Sequence, residues 1–290
     1  MVATHHRTVR VRDVDVFYRE AGDPAGPAIV LLHGAPASSF MFRGLIPNLA
    51  DRYRVIAPDL IGFGQSSIPR VDEFEYTFDN LTDVTAALLA TLGIDRFAMY
   101  VHDYGAPVGW RLALRDPYRV TAIVSQNGNA YDEGFVDTFW APLWAYAKDR
   151  TDAKAAPLRE ALSLEKIRWQ YTHGIAEPDV VAPETWCYDY AMVSRPGNAE
   201  AQLALFADYP SNVDMYPRVQ EYFRSSRVPL LALWGGNDRI FGPDGARAFA
   251  RDLPDSEIHL LDGGHFLLES HLDEATDLIR DFLARTPSAA

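Results

Sequence analysis

The sequence predicts an α/β fold: a mostly parallel central sheet flanked by helices and interrupted, late in the chain, by an all-helical insertion. Three observations carry this. Short continuous apolar runs recur at Ala28–Leu32, Val55–Asp59, Phe97–Val101, Val120–Ser125 and Pro229–Trp234, as expected of strands buried on both faces of a parallel sheet. Stretches of helical period alternate with them, which is the signature of a layered α/β sheet. From about Tyr131 to about Tyr216 the alternation stops, and the chain is rich in Trp, Tyr, Ala and helix formers. The expected division is a core over 1–130, a helical cap over 131–216 and the rest of the core over 217–290. A TIM barrel would need eight regular βα units and has no place for a long helical insert.

Taken in order, residues 7–20 (RTVRVRDVDVFYRE) alternate apolar and polar, and Gly22-Asp23-Pro24 follows them. They read as a pair of edge strands in a hairpin, with His5-His6 in a frayed tail. The run AIVLL ends in His33-Gly34-Ala35-Pro36, and Ser38 to Ala50 has a helical period. The strand ending at Asp59 leads into the glycine-rich Ile61-Gly62-Phe63-Gly64-Gln65-Ser66, a tight turn that lacks the Lys and the spacing of a phosphate loop. A helix over Thr77–Leu92 is closed by Gly93. In the insertion, helices are expected at Phe139–Lys148, Pro157–Gln170 and Asn198–Ala207. After PLLALW come a helix over Asp244–Arg251, a strand over Glu257–Leu261 and a last helix from about Leu272 to Ala284; only Thr286–Ala290 is of low complexity.

The stretch AMYVHDYGAPVGWR, Ala98–Arg111, carries the chemistry. A buried strand turns sharply at His102-Asp103-Tyr104-Gly105 and a helix opens at Ala106-Pro107, where a proline costs little. This is the setting of a nucleophile elbow. The elbow position holds Asp103 rather than Ser, and no G-x-S-x-G occurs anywhere in the chain, which disfavours a serine esterase. An aspartate is ionised at neutral pH without help from a base, and a helix N-terminus favours its charge. It can attack a saturated carbon to form an alkyl ester, which water must then hydrolyse. That second step needs a histidine, an acid to orient it and an oxyanion hole. His265, in Gly263-Gly264-His265-Phe266, follows the strand EIHLL, and Asp238, in WGGND, follows PLLALW. The order nucleophile, acid, histidine is that of α/β-hydrolases, and all three sit at the carboxyl ends of expected parallel strands, where ligands bind in such sheets. Asp214 and Asp262 are weaker rivals for the acid. The oxyanion donors are expected to be the backbone N–H groups of Ala35 and of Tyr104, the residue after the nucleophile.

Composition narrows the classes. A net charge of −13 argues against nucleic acid and anionic membrane partners. The lone Cys187 permits no intrachain disulfide, which fits a cytoplasmic protein. No apolar leader and no run of eighteen apolar residues is present. The eight histidines show no metal-ligand spacing, and no cofactor or metal is expected. A homodimer is compatible with the sequence without being demanded by it.

Together, HGAP, VHDYGAP, WGGND and GGHF resemble the α/β-hydrolase superfamily in its branch with an aspartate nucleophile and a helical cap, which contains epoxide hydrolases, haloalkane dehalogenases and haloacetate dehalogenases. The resemblance runs from Phe17 to Leu283 and implies a cis Ala35–Pro36 bond. Haloalkane dehalogenases resemble one another in a Trp after the nucleophile and a Trp or Asn, often just after HG; here those places hold Tyr104 and Ala35. The Arg that would clamp a haloacetate is also absent. Epoxide hydrolases use two cap tyrosines against the epoxide oxygen, and the resemblance puts them at Tyr146, 43 positions past Asp103, and Tyr209, 29 before Asp238. Tyr171 and Tyr190 compete for the first role. The resemblance thus implies epoxide hydrolysis to a vicinal diol through a covalent ester, with carbon–halogen hydrolysis as the alternative. A non-catalytic receptor would predict a broken triad, and all three members are present. The substrate-binding set is expected to be His33, Pro36, Trp140, Trp144 and Tyr171, around a small apolar or aryl molecule.

Overall fold

A computed structural model describes residues 2–286; the terminal stretch from residue 287 lies outside the described residues. The chain opens with β1 (His5–Val11) and β2 (Val14–Ala21), an antiparallel pair. β3 (Ala28–Leu32), a 3-10 turn at Ser39–Phe42, α1 (Leu45–Leu49) and β4 (Arg54–Pro58) follow. Then come α2 (Phe78–Thr91), β5 (Phe97–His102), α3 (Gly105–Arg115) and β6 (Val120–Gln126). The insertion holds α4 (Asp137–Lys148), α5 (Asp152–Glu160), α6 (Leu164–Thr172), α7 (Glu184–Val193), α8 (Asn198–Asp208) and α9 (Pro210–Ser226). β7 (Leu230–Gly235), α10 (Pro243–Asp252), β8 (Glu257–Leu261), α11 (Leu267–Ser270) and α12 (Leu272–Arg285) close the fold.

The strands form one eight-stranded sheet in the order β1-β2-β4-β3-β5-β6-β7-β8. From β4 to β8 every pairing is parallel. The β5 strand lies at its centre with all six residues buried, and its side chains alternate between the faces as the pleat requires. Phe97, Met99 and Val101 join Trp110 in the core on one side, while Ala98 and Tyr100 join Phe42 on the other. This two-sided burial is why the strand reads as an unbroken apolar run.

Four details differ from expectation. The stretch Pro157–Gln170, expected as one helix, is divided between α5 and α6, with Ser163 capping α6 by accepting from the Lys166 N–H. The Ser38–Ala50 segment is a 3-10 turn followed by a short helix rather than one helix; Gly44 stands at the break, and Ser38 caps the turn by accepting from the Phe40 N–H. His5 and His6 are paired into β1, opposite Glu20 and Arg19. The expected division between 216 and 217 falls inside α9, which continues through Pro217 and packs on α3 and α10. Among the described residues no helix is long and apolar enough to cross a membrane.

The approach of α3 to β3 fixes where the elbow sits. A Cβ on Gly105 would collide with the Leu32 carbonyl oxygen, and one on Gly109 would lie 2.6 Å from a Val101 methyl. Gly105→Ala should therefore force α3 outward and destabilise the protein by about 1–3 kcal/mol, read as a lower urea midpoint with an unchanged slope.

Candidate active site

The elbow is built from the end of β5 and the first turn of α3. Asp103 takes a left-handed backbone, φ 48°, a conformation that costs a non-glycine residue about 1 kcal/mol or more. The residue is 4% exposed. Its Oδ1 accepts from the Ala35 N–H at 2.7 Å, and the Tyr104 N–H also donates to the carboxylate. These are the two donors expected of the oxyanion hole. Gly34 lets the loop come this close, since a Cβ there would collide with the Asp103 side chain. The Ala35–Pro36 peptide is cis, and Pro36 is buried.

Two further strand ends complete the cluster. His265 Nδ1 lies 2.8 Å from Asp238 Oδ2, and Nε2, which has no protein hydrogen bond, faces Asp103 Oδ2 at 4.0 Å. Asp238 Oδ1 accepts from the Ile240 N–H at 2.7 Å. Burial opposes charge on His265, but the adjoining Asp238 carboxylate and its hydrogen bond, with Asp103 behind them, outweigh it and raise the imidazole above its ordinary value. Burial raises the Asp103 carboxyl too, against the opposing pull of His265 and of the two backbone N–H groups. The arrangement supplies a carboxylate with one anchored oxygen, an adjacent base and a fixed acid.

A polar network that sequence reasoning did not single out holds this cluster. Asn127, itself at φ 46°, donates from Nδ2 to Asp238 Oδ2 at 2.7 Å and accepts from the Gly235 N–H at 3.0 Å. Gln126 Nε2 donates to the His265 carbonyl at 2.7 Å, and Tyr100 donates to Gln126 Oε1 at 2.8 Å. His102 Nε2 reaches the same carbonyl at 3.1 Å; burial pushes this imidazole well below its ordinary range and keeps it neutral, so Nε2 carries the donated hydrogen. The signal was the polar run Gln126-Asn127-Gly128-Asn129 at the end of an apolar strand.

Beside Asp103 stands an aromatic cluster. Tyr209, at the α8–α9 junction, packs against Trp140 at 4.5 Å, Phe78 at 5.6 Å, Tyr104 at 5.8 Å and Trp144 at 5.9 Å between ring centroids. Its hydroxyl is hydrogen-bonded to that of Tyr216. The Phe78 N–H donates to Asp208 Oδ2 at 2.8 Å, tying α2 to the insertion beside Tyr209. The Trp140 indole N–H is spent on the Ile240 carbonyl at 2.8 Å.

Other expected site residues lie elsewhere. Tyr146 is buried in α4, but at ~100° per residue it is turned roughly 120° from Trp140 and still further from Trp144, and among the described residues no ring contact joins it to the Tyr209 group. Tyr171 stacks on Phe266 at 3.9 Å and donates to the buried Asp189, so its hydroxyl is committed within the cap. His33 spends both ring nitrogens on backbone, Nδ1 on the Gly34 carbonyl and Nε2 on the Leu60 N–H, and so ties the loop after β3 to the segment after β4. Tyr190 is exposed, as is Asp214, and Asp262 accepts from Asn237. Among the described residues no group of three or more His, Cys, Asp or Glu is placed to hold a metal ion.

Asn127→Leu would leave the buried Gly235 N–H without its partner and take from Asp238 Oδ2 one of its two hydrogen bonds, the one to His265 remaining. The expected cost is about 1–3 kcal/mol for the orphaned N–H, read as a loss of thermal and urea stability well beyond that of a surface substitution.

Comparison with known proteins agrees with this architecture. Residues 27–272 match the model of the alpha/beta hydrolase fold family. The chain is 44% identical over 278 residues to an uncharacterized hydrolase of Saccharomyces cerevisiae, covering 94% of each. It is 29% identical over 300 residues to a haloalkane dehalogenase of Mesorhizobium japonicum, covering 95% of this chain and 90% of that relative. The crystal structure of epoxide hydrolase A from Mycobacterium thermoresistibile shares the fold, with a TM-score of 0.77 at 23% identity over 99% of this chain and 100% of that one. On a match that spans most of its length, the chain belongs to the alpha/beta hydrolase fold family and is a hydrolase.

Proposed function

We propose that the protein hydrolyses epoxides to vicinal diols through an alkyl ester on Asp103. The observation that carries this reading is the buried ring of Tyr209, set against the ring of Tyr104, the residue next to the nucleophile, from where a hydroxyl can meet a departing oxygen. Asp103 Oδ2, the oxygen not held by Ala35, attacks a ring carbon of the epoxide. The carbon–oxygen bond breaks, its electron pair goes to oxygen, and Tyr209 turns its O–H from Tyr216 to donate to that oxygen. Water then attacks the ester carbonyl, giving its proton to His265 Nε2 while Asp238 stabilises the imidazolium. The Ala35 and Tyr104 N–H groups hold the oxyanion. The ester carbon–oxygen bond breaks, His265 returns its proton to the leaving alcohol, and the proton freed as Asp103 re-ionises restores the tyrosine.

The walls favour an apolar or aryl substrate, since Phe78, Phe135, Trp140 and Trp144 surround Tyr209 and no charged side chain is needed to hold such a ligand. Carbon–halogen hydrolysis is the second reading. It is favoured by the dehalogenase relative and by Trp144 beside Tyr209. It is weakened because the Trp140 N–H is already spent on Ile240.

A panel of aryl and alkyl epoxides assayed for diol, beside bromoalkanes and haloacetates assayed for halide, should give diol without halide. Halide without diol would transfer the leaving group to Trp144. Asp103→Asn should retain the fold and lose at least about 1000-fold in turnover. His265→Gln should accumulate an adduct on Asp103 equal in mass to the epoxide. Because the working form of His265 is neutral and its pKa is raised, ester hydrolysis should slow as the pH falls through a value above the ordinary ~6.5 of histidine. Asp238→Asn removes the largest raising cause and should move that limb to lower pH as well as lowering the rate.

A further inference from the structure

The epoxide reading leaves one buried group without a task. Tyr104 gives its backbone N–H to the Asp103 carboxylate, but its side chain also stands in the aromatic cluster around Tyr209. The ring packs edge-on against Phe78 at 4.9 Å and Phe63 at 6.2 Å and tilts against Tyr209 at 5.8 Å. The residue is 2% exposed, and its hydroxyl has no hydrogen-bond partner. A phenylalanine would fill the same wall without burying an unpaired hydroxyl, so packing alone does not account for a tyrosine here. A ligand atom that accepts a hydrogen bond does account for it. The tyrosine that spacing offered as the companion of Tyr209, Tyr146, is turned away on α4, whereas Tyr104 shares the wall with Tyr209 and adjoins the nucleophile.

We propose that Tyr104 is a second catalytic hydroxyl, donating together with Tyr209 to the oxygen that departs when Asp103 opens the epoxide. This rests on the epoxide reading above. As Asp103 forms its bond to carbon and the ring carbon–oxygen bond breaks, the electron pair left on oxygen is met by two phenol O–H groups. One of them gives up its proton; the other remains a hydrogen-bond donor to the resulting alcohol. The proton released when Asp103 re-ionises after ester hydrolysis restores the phenol, so substrate plus water balances diol. Burial, and after it the charges of Asp103 and Asp208, hold the phenol well above its ordinary value, so in the free enzyme it is a neutral donor. Once Asp103 is esterified one of those two opposing charges is gone, which eases proton release to the oxygen.

The test separates ester formation from ester hydrolysis. In a His265→Gln background, the rate of appearance of the Asp103 adduct is followed by intact mass with styrene oxide as probe, with and without Tyr104→Phe. Loss of the hydroxyl should slow adduct formation about 100-fold, and Tyr104→Phe combined with Tyr209→Phe should slow it further. The melting temperature of Tyr104→Phe should be unchanged or higher, because the substitution removes an unpaired buried hydroxyl and keeps the ring. Adduct formation at the unsubstituted rate would overturn the role of Tyr104 and leave the ester chemistry standing. Absence of both adduct in the His265→Gln protein and diol in the unsubstituted protein, with this and a panel of other epoxides, would overturn the epoxide reading and this proposal with it.

Discussion

The structure is organised around a carboxylate placed where water hardly reaches it. Asp103 is 4% exposed, and a buried charge is costly unless hydrogen bonds and an opposing charge compensate it. Here the compensation comes from three separate parts of the chain: the loop after β3 through the Ala35 N–H, the first turn of α3 through Tyr104, and the segment after β8 through His265. Each part can reach Asp103 only because β3, β5 and β8 belong to one sheet whose strands in this half run parallel and end at the same edge. The sheet, the glycine at 105 and the glycine at 34 therefore serve a single geometric demand.

The compensation is incomplete in a useful way. Only one carboxylate oxygen is anchored at short range, and the His265 Nε2 stands 4.0 Å from the other. The carboxylate is thus held in place while its second oxygen stays clear of a short hydrogen bond, as the proposed attack on a substrate carbon requires. Behind it, Asp238 is fixed by Ile240 and Asn127, and the His265 carbonyl is fixed by Gln126 and His102. His265 is gripped from its ring and from its backbone, so in the proposed mechanism little reorganisation is required when charge moves, which is how preorganised sites lower a barrier.

Much of this was legible in the sequence. The buried strands were visible as apolar runs because both faces of a parallel sheet are covered, and Asp103, Asp238 and His265 stood out because each follows such a run. The network behind them was not visible in the same way: Asn127 and Asp238 are 111 residues apart, and only the β6–β7 pairing brings them together. The side on which Tyr146 lies is not legible, since a count of residues along a cap says where a side chain lies in sequence but not which face it takes. The partners of Tyr171 and His33 are hidden for a related reason. Their polar atoms are consumed by partners, Asp189 for one and the backbone of Gly34 and Leu60 for the other, that residue type alone does not announce. Tyr104 is the reverse case, a residue that the sequence offers for its backbone N–H and whose side chain is informative only through its hydroxyl, buried without a partner.

The central claim is that Asp103, rather than water, makes the first bond to the substrate. A single turnover of excess enzyme with styrene oxide in oxygen-18 water tests it most directly. The ester route predicts that the label enters the Asp103 carboxylate while the diol released in that turnover carries unlabelled oxygen drawn from the protein. Label in the first-turnover diol, with an unlabelled Asp103, would mean that water attacks the epoxide itself and would contradict the account.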